Sequence, residues 1–227
     1  MASTATQDYL KTIYQLCLDA DAANTSSIAE RLGVRAASVT GMLKRLADRG
    51  LIEHVPYYGA TLTSEGRQEA VRMVRRHRVL ELFLVEVLGY TWDRVHDEAE
   101  TLEHAASDEL IDRMARILGE PRTDPHGDPI PGGDAEFVED AWGSLADLAA
   151  GRRAVVRRVS DEDPAVLRYL AGMDLRPGAG IEVLEHAPFD GPVRLRVNGA
   201  AEQVLGRGLA RSIGVEPMDP QREERTR

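Results

Sequence analysis

The chain has 227 residues, of which 43% are hydrophobic and 29% charged, and this balance predicts a folded globular protein rather than a disordered chain. Cys17 is the only cysteine, which excludes an intrachain disulfide and a thiolate metal cluster and favours a reducing cytosol. The first residues lack the basic and apolar regions of a signal peptide, and no apolar run approaches the roughly 18 residues that span a bilayer. We therefore expect a cytoplasmic protein without a membrane partner.

The net charge of −10 is unevenly distributed along the chain. Residues 1–78 carry 11 basic and 8 acidic side chains, whereas the remaining residues carry 17 basic and 30 acidic ones. The first part is therefore mildly basic and the second strongly acidic. This asymmetry predicts two kinds of partner, phosphate groups for the first part and cations for the second.

The first 63 residues show the element order of a winged helix-turn-helix. Apolar spacing and helix-ending glycines predict three helices and then two short strands, over 8–20, 26–32, 36–49, 51–55 and 60–63. In such a module the second helix of the helix-turn-helix, here 36–49, enters the major groove of DNA. Winged helices also serve as protein-interaction modules, but the basic balance of this part favours duplex DNA as the partner.

The start of the helix predicted over 36–49 has the residue types of a DNA-reading surface. Arg35 can contact a guanine or a phosphate, and Ala37 is small enough for the backbone to approach the bases closely. Hydroxyl groups and basic side chains suited to phosphates complete the predicted surface: Ser27, Ser38, Thr40, Lys44, Arg45 and Arg49.

The rest of the chain changes from helical to strand-like patterns. Three helices are predicted over 64–88, 91–105 and 107–118, followed by a proline-rich link over 122–133 and a short helical stretch over 137–149. Short β-like runs separated by turns then predict a small barrel, with strands over 154–159, 181–185, 193–197 and 203–205. We therefore predict a mainly α fold with a β C-terminal part.

The segment DRVHDEAETLEH, residues 93–104, carries closely spaced histidines and carboxylates. On a helix, four of its side chains share one face because they are three or four residues apart: His96, Glu100, Glu103 and His104. His77 and Glu81 repeat the same spacing on the preceding helix. A single histidine in such a place is more often a hydrogen-bonded, partly buried residue. Several in-phase positions on two neighbouring helices instead favour a divalent-metal site.

Enzyme motifs are absent from the sequence. The zinc-protease pattern H-E-x-x-H does not occur, residues 100–104 read E-x-x-E-H, and there is no E-x-x-H pair, Walker loop or G-x-S-x-G elbow. We therefore predict that the chain is not an enzyme. Two alternative functions remain: a manganese-dependent metallohydrolase, and a winged-helix regulator that senses an organic effector.

Several longer motifs occur in a fixed order along nearly the whole chain. They are DYLKTIY (8–14), SIAERLGVRAASVTGMLKRLADRGLI (27–52), LTSEGR (62–67), RRHRVLELFL (75–84), VHDEAETLEH (95–104) and DPHGDPIP (124–131). Together they resemble the diphtheria-toxin-repressor family of metal-dependent transcriptional repressors. Residues 175–199 resemble the SH3-like, FeoA-type domain that longer members of the family carry.

This resemblance implies a domain organisation and partners. It implies a winged helix-turn-helix DNA-binding domain, a helical metal-binding and dimerisation domain that includes the proline-rich link, an SH3-like domain and a charged tail, over 1–73, 74–150, 151–217 and 218–227. The expected partners are double-stranded operator DNA and a second copy of the chain. The number of dimers on each operator, one or two, stays open.

The resemblance also implies two sets of metal ligands. The first comprises Asp8, Glu100, Glu103 and His104. The second comprises His77, Glu81, His96 and an acid of the third domain, for which Glu162 is chosen over its neighbours Asp161 and Asp163. In the metal-free protein, we expect these clustered acids and histidines to repel one another.

The predicted cofactor is Mn²⁺, with Fe²⁺ or other divalent transition metals as alternatives in vitro. Iron-sensing members of the family have methionine at the position of Asp8 and cysteine at that of Glu100, whereas hard carboxylates such as these suit Mn²⁺. Lys11 stands where some short manganese regulators have a glutamate ligand, which argues against a close binuclear pair at Asp8. Ala165 stands where iron regulators use a glutamine, which leaves the second site incomplete or water-filled. The predicted function is manganese-dependent repression in manganese homeostasis, and an iron(II)-responsive repressor is the nearest alternative.

Overall fold

The structure is a computed structural model that describes residues 3–55, 58–132, 142–160 and 163–218. The described residues form two compact units. The first unit comprises the described parts of Met1–Leu80, Ala99–Arg116 and Ile130–Phe137, and the second comprises those of Glu81–Glu98, Ile117–Pro129 and Val138–Arg227.

The first unit begins with the predicted winged helix-turn-helix, whose element order is confirmed. Its helices and strands are α1 (Thr4–Asp19), α2 (Thr25–Arg31), α3 (Ala36–Asp48), β1 (Ile52–Val55) and β2 (Gly59–Leu62). The two strands pair antiparallel, with Ile52 opposite Leu62. Helix α2 begins slightly earlier than predicted because Asn24 is its N-cap, and the Asn24 side chain accepts a 2.8 Å hydrogen bond from the Ser27 amide.

The core of the winged helix is built between α1 and the next two helices. Leu10 and Ile13 of α1 are fully buried in one hydrophobic cluster with Ile28 of α2. The predicted inner face of α3 is confirmed, because three of its residues lie in the same cluster with no exposed surface: Val39, Leu43 and Leu46. Burial of each such aliphatic side chain stabilises the fold by about 1.5–3 kcal/mol, so α1 is held firmly against α3.

Three further helices follow, α4 (Ser64–Glu86), α5 (Val95–Glu103) and α6 (Asp108–Ile117). The Thr63 hydroxyl accepts a hydrogen bond from the Gly66 amide at 3.2 Å and caps α4, as the sequence predicts. Gly66 is required there, because a Cβ atom would lie 1.9 Å from the Leu51 carbonyl oxygen. Helices α4 and α5 each contribute residues to both units.

The second unit contains the predicted C-terminal sheet. The sheet of the described residues is antiparallel, in the order β3-β8-β4-β5-β6-β7. Its strands are β3 (Gly143–Ser144), β4 (Arg153–Val159), β5 (Gly180–His186), β6 (Val193–Val197), β7 (Glu202–Leu205) and β8 (Ile213–Pro217), and two short helices, α7 (Pro164–Gly172) and α8 (Arg207–Arg211), lie between strands. All four predicted strands are therefore confirmed.

The helix predicted over 137–149 is wrong for the residues that the structure describes. Gly143 and Ser144 form β3, and Leu145–Asp147 form a single 3-10 turn that Ser144 caps. Residues 137–141 lie outside the described residues. A two-residue strand is too short to show an alternating pattern, and only its pairing with β8 identifies it.

Trp92, in the segment between α4 and α5, is buried in the hydrophobic core of the second unit. The His126 ring stacks on it with 5.5 Å between ring centroids, and the Arg176 guanidinium lies 5.3 Å from its centroid. The adjacent Asp93 accepts a 3.0 Å hydrogen bond from Arg168 of α7. These contacts explain why α5 begins at Val95 and not at Thr91, where the sequence predicts it.

Within the described ranges, none of the helices combines the length and apolar character that a membrane-spanning segment needs.

The Asp93–Arg168 pair predicts a pH-dependent contribution to stability. Burial acts to raise the pKa of Asp93, but hydrogen bonds from Thr91 and Arg168 outweigh it and hold this pKa below the ordinary 3.8. A carboxyl whose pKa is lowered by folding stabilises the protein above its unfolded-state pKa, and this contribution is lost as pH falls through the folded-state pKa. Because Arg168 is 59% exposed, solvent screening limits the effect of Asp93→Asn to about 1 kcal/mol at neutral pH.

The measurement is urea unfolding followed by tryptophan fluorescence, since both tryptophans, Trp92 and Trp142, belong to the second unit. The difference between Asp93→Asn and wild type should be present at pH 7 and should shrink below about pH 4. The exposed Asp147→Asn is the control, for which a change within about 0.5 kcal/mol is expected. An equal difference at both pH values would contradict the assignment.

Candidate metal centre

One cluster of titratable and polar side chains lies in the first unit, and we call it the first cluster. Helix α1 contributes one face of its first turns, α4 contributes a histidine, and α5 contributes its C-terminal end together with the histidine that follows it. The members are Gln7, Asp8, Lys11, His77, Glu100, Glu103 and His104. All four ligands predicted for the first metal site are therefore members of one cluster.

The imidazole of His104 is held by two residues of α1. Its Nδ1 atom lies 3.0 Å from the Gln7 amide oxygen, and its Nε2 atom lies 3.0 Å from Asp8 Oδ1. Because an amide oxygen only accepts hydrogen bonds, Nδ1 carries a hydrogen and donates a hydrogen bond to the Gln7 oxygen. In the neutral ring the Nε2 lone pair then faces the Asp8 carboxylate. A cation bound between these two groups would be coordinated by both.

Ligand atoms of Asp8, Glu103 and His104 all lie within 4.8 Å of one another. The Glu103 side chain has no exposed surface, and its Oε1 lies 3.7 Å from His104 Nε2. Burial is the main cause that raises the pKa of Asp8 above its ordinary value; Glu100 and Glu103 raise it further, while His104 and Lys11 lower it. Bringing a divalent cation to these atoms would relieve the repulsion among the carboxylates.

Lys11 gives the first cluster an internal positive charge. Its buried ammonium donates to Glu100 at 2.6 Å and to Glu103 at 2.8 Å, and it lies 3.1 Å from His77 Nδ1. His77 Nδ1 also lies 2.6 Å from Glu103 Oε2, the same oxygen to which Lys11 donates at 2.8 Å. A buried lysine therefore offsets part of the repulsion expected among the acids and histidines of this cluster.

The donor atoms of the first cluster fit a divalent transition metal. Carboxylate oxygens and one imidazole nitrogen form a hard donor set, and neither a thiolate nor a thioether belongs to it. Asp8, Glu103 and His104 offer the converging atoms, and Glu100 lies on the Lys11 side of the cluster. Sequence reasoning missed Gln7, which orients His104; only its spacing from Asp8 on α1 could have suggested it.

A further set of ligand-type side chains lies in the second unit. Glu81 Oε1 lies 3.5 Å from His96 Nδ1, so these two predicted residues are close together. Glu81, Asp124 and His126 are all buried and also offer ligand atoms within 4.8 Å of one another. Asp124 and His126 belong to the segment predicted as a proline-rich link, and the motif DPHGDPIP contains both.

The acid expected from the third domain cannot be placed. Glu162 and Asp161 lie outside the described residues. Asp163 is the N-cap of α7, where its side chain accepts a 2.8 Å hydrogen bond from the Ala165 amide. The choice of Glu162 stays a prediction.

The predicted DNA-reading residues lie on and beside α3. Most of them are exposed, namely Arg35, Ala37, Ser38, Thr40, Lys44, Arg45 and Arg49, while Ser27 of α2 is half-buried. The Thr40 hydroxyl donates to the Ala36 carbonyl at 3.2 Å. Arg49 donates to the Thr6 hydroxyl of α1 at 3.3 Å, so it contacts the helix that carries Gln7 and Asp8.

Three family models match successive parts of the chain. Residues 1–60 match the iron-dependent repressor N-terminal DNA-binding domain, and residues 63–132 match the iron-dependent repressor metal-binding and dimerisation domain. Residues 143–217 match the FeoA domain.

Whole-length relatives lead to the same family. The iron-dependent repressor IdeR of Mycobacterium leprae is 31% identical over 223 residues, covering 93% of this chain and 96% of that protein. The diphtheria toxin repressor of Corynebacterium diphtheriae is 29% identical, and the match covers 94% of this chain and 97% of that protein.

Solved structures are also similar. One is of a manganese-dependent transcriptional repressor in complex with manganese; it is 41% identical, has a TM-score of 0.85, and the match covers 94% of this chain and 100% of that chain. The structure of the manganese regulator SloR is 31% identical, has a TM-score of 0.77, and the match covers 94% of this chain and 98% of that chain. The chain therefore belongs to the diphtheria-toxin-repressor family of metal-dependent transcriptional repressors, which are not enzymes.

Proposed function

We propose that the chain is a manganese-dependent repressor that binds operator DNA in the cytoplasm as a homodimer and controls manganese homeostasis. The observation that carries this proposal is the donor set of the first cluster, in which Asp8, Glu103 and His104 converge without a sulfur ligand. The relative whose name specifies manganese at 41% identity supports the same metal.

In this proposal the first metal site uses Asp8, Glu100, Glu103 and His104. A bound divalent ion supplies the positive charge that lets carboxylates of α1 and α5 approach one another. Gln7 holds the His104 ring so that Nε2 points to Asp8, and Lys11 neutralises the opposite side of Glu103. With Lys11 in that place, the first site holds one ion and not a close pair.

The second site implied by the family resemblance, with ligands His77, Glu81, His96 and Glu162, stays a prediction. The division into domains over 1–73, 74–150, 151–217 and 218–227 is proposed in the same way.

Helix α1 connects metal binding to DNA reading within the first unit. Asp8 and Lys11 lie in the first cluster, while Leu10 and Ile13 of the same helix pack into the core that supports α3. A rigid helix cannot move one side without the other, so holding Asp8 against α5 also fixes the position of α3. Coupling of this kind is a difference in metal affinity between two arrangements of the protein.

The proposed operator contacts come from the exposed residues of α3 and from Ser27. In a homodimer, two copies of α3 would read half-sites about 34 Å apart, which is one turn of DNA. The match to a dimerisation domain supports a pair of chains, and one or two such pairs on each operator are both compatible with it.

An iron(II)-responsive repressor is the second candidate. The curated relatives named IdeR are iron-dependent and are 31–32% identical to this chain. The carboxylates at Asp8 and Glu100 favour manganese over this alternative, because Fe²⁺ gains more than Mn²⁺ from softer ligands.

The proposed function predicts a metal-dependent response of operator binding. Fluorescence anisotropy of an operator fragment selected from genomic DNA would be followed anaerobically while Mn²⁺ or Fe²⁺ is added to the full chain. Binding should appear at a lower free concentration of Mn²⁺ than of Fe²⁺ and should be reversed by a chelator. Glu103→Ala should lose this response while the far-ultraviolet circular dichroism stays unchanged.

An equal or stronger response to Fe²⁺ would transfer the protein to the iron-responsive alternative. Operator binding that neither metal nor chelator affects would refute metal control.

The double variant Asp8→Met, Glu100→Cys tests whether ligand hardness sets the choice of metal. It places a thioether and a thiolate where the chain has carboxylates, so the ratio of Fe²⁺ to Mn²⁺ affinity should rise by at least about tenfold. The same anisotropy titration measures this ratio. Unchanged preference for Mn²⁺ would refute the argument from donor atoms.

Gln7→Leu tests the orientation of His104. Loss of the partner of a metal-ligating histidine typically lowers metal affinity by about 10–100-fold, and we expect this loss for Mn²⁺ in equilibrium dialysis. Gln15→Leu, at a half-buried position further along α1, is the matched control and should keep the wild-type affinity. Equal affinities for the two variants would show that Gln7 has no such role.

A further inference from the structure

The ammonium group of Lys11 is buried among the carboxylates of the first cluster. Its Nζ atom donates to Glu100 Oε1 at 2.6 Å and to the two oxygens of Glu103 at 2.8 and 3.1 Å. The Lys11 side chain is 7% exposed, and that of Glu103 has no exposed surface. A buried ion of either sign is costly without a partner, so the lysine and the acids stabilise one another. Lys11 is therefore a cation, covalently attached to the chain, that occupies one side of this cluster.

Glu100 is bound to Lys11 and stands apart from the other proposed ligands of the first site. Among the described residues, the ligand atoms that converge are those of Asp8, Glu103 and His104, and this group does not include Glu100. The Glu100 carboxylate instead accepts the shortest of the Lys11 hydrogen bonds. Its side chain is 41% exposed, so it has room to change rotamer, which the fully buried Glu103 does not. Glu100 can join the converging atoms by exchanging the ammonium for a metal ion.

The ammonium stays close to the converging atoms. The neighbours of Lys11 on α1, Leu10 and Thr12, are buried, so the backbone that carries the side chain is fixed. Lys11 binds both oxygens of Glu103, and Glu103 Oε1 lies 3.7 Å from His104 Nε2. A divalent ion bound by Glu103 and His104 would therefore be near the ammonium. Two positive charges in a buried cluster repel each other with little screening, so the presence of Lys11 opposes metal binding.

A second basic residue shows that this unit also buries positive charge away from the proposed ligands. Arg76 of α4 has a side chain that is 10% exposed, and its guanidinium donates to Asp108 Oδ1 at 2.9 and 3.1 Å. It also donates to the backbone carbonyl of Glu103 at 3.4 Å, and not to the Glu103 carboxylate. Burial of a cation does not by itself bring it to the metal ligands, whereas the Lys11 ammonium is bound to two of them.

We propose that Lys11 is an internal competitor of the metal and sets the free metal concentration at which the first site fills. This inference rests on the proposed function, because it takes Asp8, Glu100, Glu103 and His104 as the ligands. In the metal-free protein, the ammonium supplies part of the positive charge that Glu100 and Glu103 need. An entering ion takes Glu100 from the ammonium and remains near that charge, so its affinity is lower than the same ligands would give without Lys11.

Two variants of Lys11 and one matched control separate the effect of this charge. Lys11→Gln removes the charge and keeps an N–H donor for Glu103, and Lys11→Met removes both and keeps an unbranched side chain. Arg113→Gln also removes one positive charge from the first unit, at a pair with Glu109 on α6. The side chains of Arg113 and Glu109 are 66% and 73% exposed, so solvent screens this charge.

The test is equilibrium dialysis of the full chain against buffered free Mn²⁺, and the first site is the part of the binding that Glu103→Ala removes. A charge beside a carboxylate changes its proton affinity by about 10–1,000-fold, and Mn²⁺ carries twice the charge of a proton. We therefore expect both Lys11 variants to bind Mn²⁺ at least about tenfold more tightly than wild type, while Arg113→Gln keeps the wild-type affinity. Equal or weaker binding by both Lys11 variants would overturn the proposal.

Thermal unfolding gives a readout that does not require counting metal. Without metal, Lys11→Gln should unfold at a lower temperature than wild type, because it leaves buried acids without their cation. Saturating Mn²⁺ should raise the unfolding temperature of Lys11→Gln by more than that of wild type, because tighter binding to the folded state stabilises it more. A purely structural lysine would lower both unfolding temperatures equally, and that result would contradict competition.

A double-variant cycle tests whether the competition acts through Glu100. In a Glu100→Gln background the carboxylate for which Lys11 and the metal compete is gone, so Lys11→Gln should raise Mn²⁺ affinity by a smaller factor than it does in wild type. An equal factor in both backgrounds would show that Glu100 is not the group exchanged.

Crystals of the wild-type chain with and without Mn²⁺ give an answer that holds even if the variants fail to fold. The Glu100 carboxylate should leave Lys11 for the metal, and Lys11 should stay on Glu103. Glu100 still bound to Lys11 beside a filled first site would overturn the exchange. A wild type that binds no Mn²⁺ through Glu103 would overturn the proposed function as well, whereas Mn²⁺ binding that the Lys11 variants leave unchanged would overturn this inference alone.

Discussion

The first unit depends on helix α1, because two sides of this helix are packed against other parts of the unit. One side of the helix supplies Leu10 and Ile13 to the winged-helix core, and the neighbouring side places Asp8 and Lys11 against the end of α5. Because the backbone hydrogen bonds of a helix make it a rigid body, these two sets of contacts cannot be satisfied independently. A change in the charge of the first cluster therefore reaches the helix that supports α3.

Electrostatic balance in the first cluster depends on Lys11. A buried carboxylate such as Glu103 is costly unless a cation accompanies it, and the ammonium at 2.8 Å supplies one. Lys11 lies on one side of Glu103, and His104 and Asp8 lie on the other. In the proposed function, the lysine and the metal would therefore occupy different places in the cluster, and the lysine already offsets part of the charge of the acids.

In the second unit, a loop positions some of the ligand-type side chains, whereas helices position those of the first cluster. Trp92, Asp93 and the segment that contains His126 are bound to the sheet by stacking, an ion pair and backbone hydrogen bonds. These contacts order segments without any periodic pattern. As a result, buried ligand-type side chains are presented by a loop that lies against β4.

The sequence by itself determined the features that repeat with a helical or strand period. The buried face of α3 follows from the spacing of Val39 and Leu43, and the shared face of α5 follows from that of Glu100 and Glu103, because 3.6 residues per turn place such pairs on one side. The charge asymmetry and four strands of the C-terminal sheet, β4 to β7, were equally readable, whereas β8 was not predicted. Contacts between distant segments were decided only by the tertiary structure. Neither Gln7 with His104 nor the partners of Lys11 obey a local period, and the place of His126 depends on a carbonyl 34 residues earlier in the chain. Such pairs form because the packed core brings their backbones together, and sequence spacing carries no record of that approach.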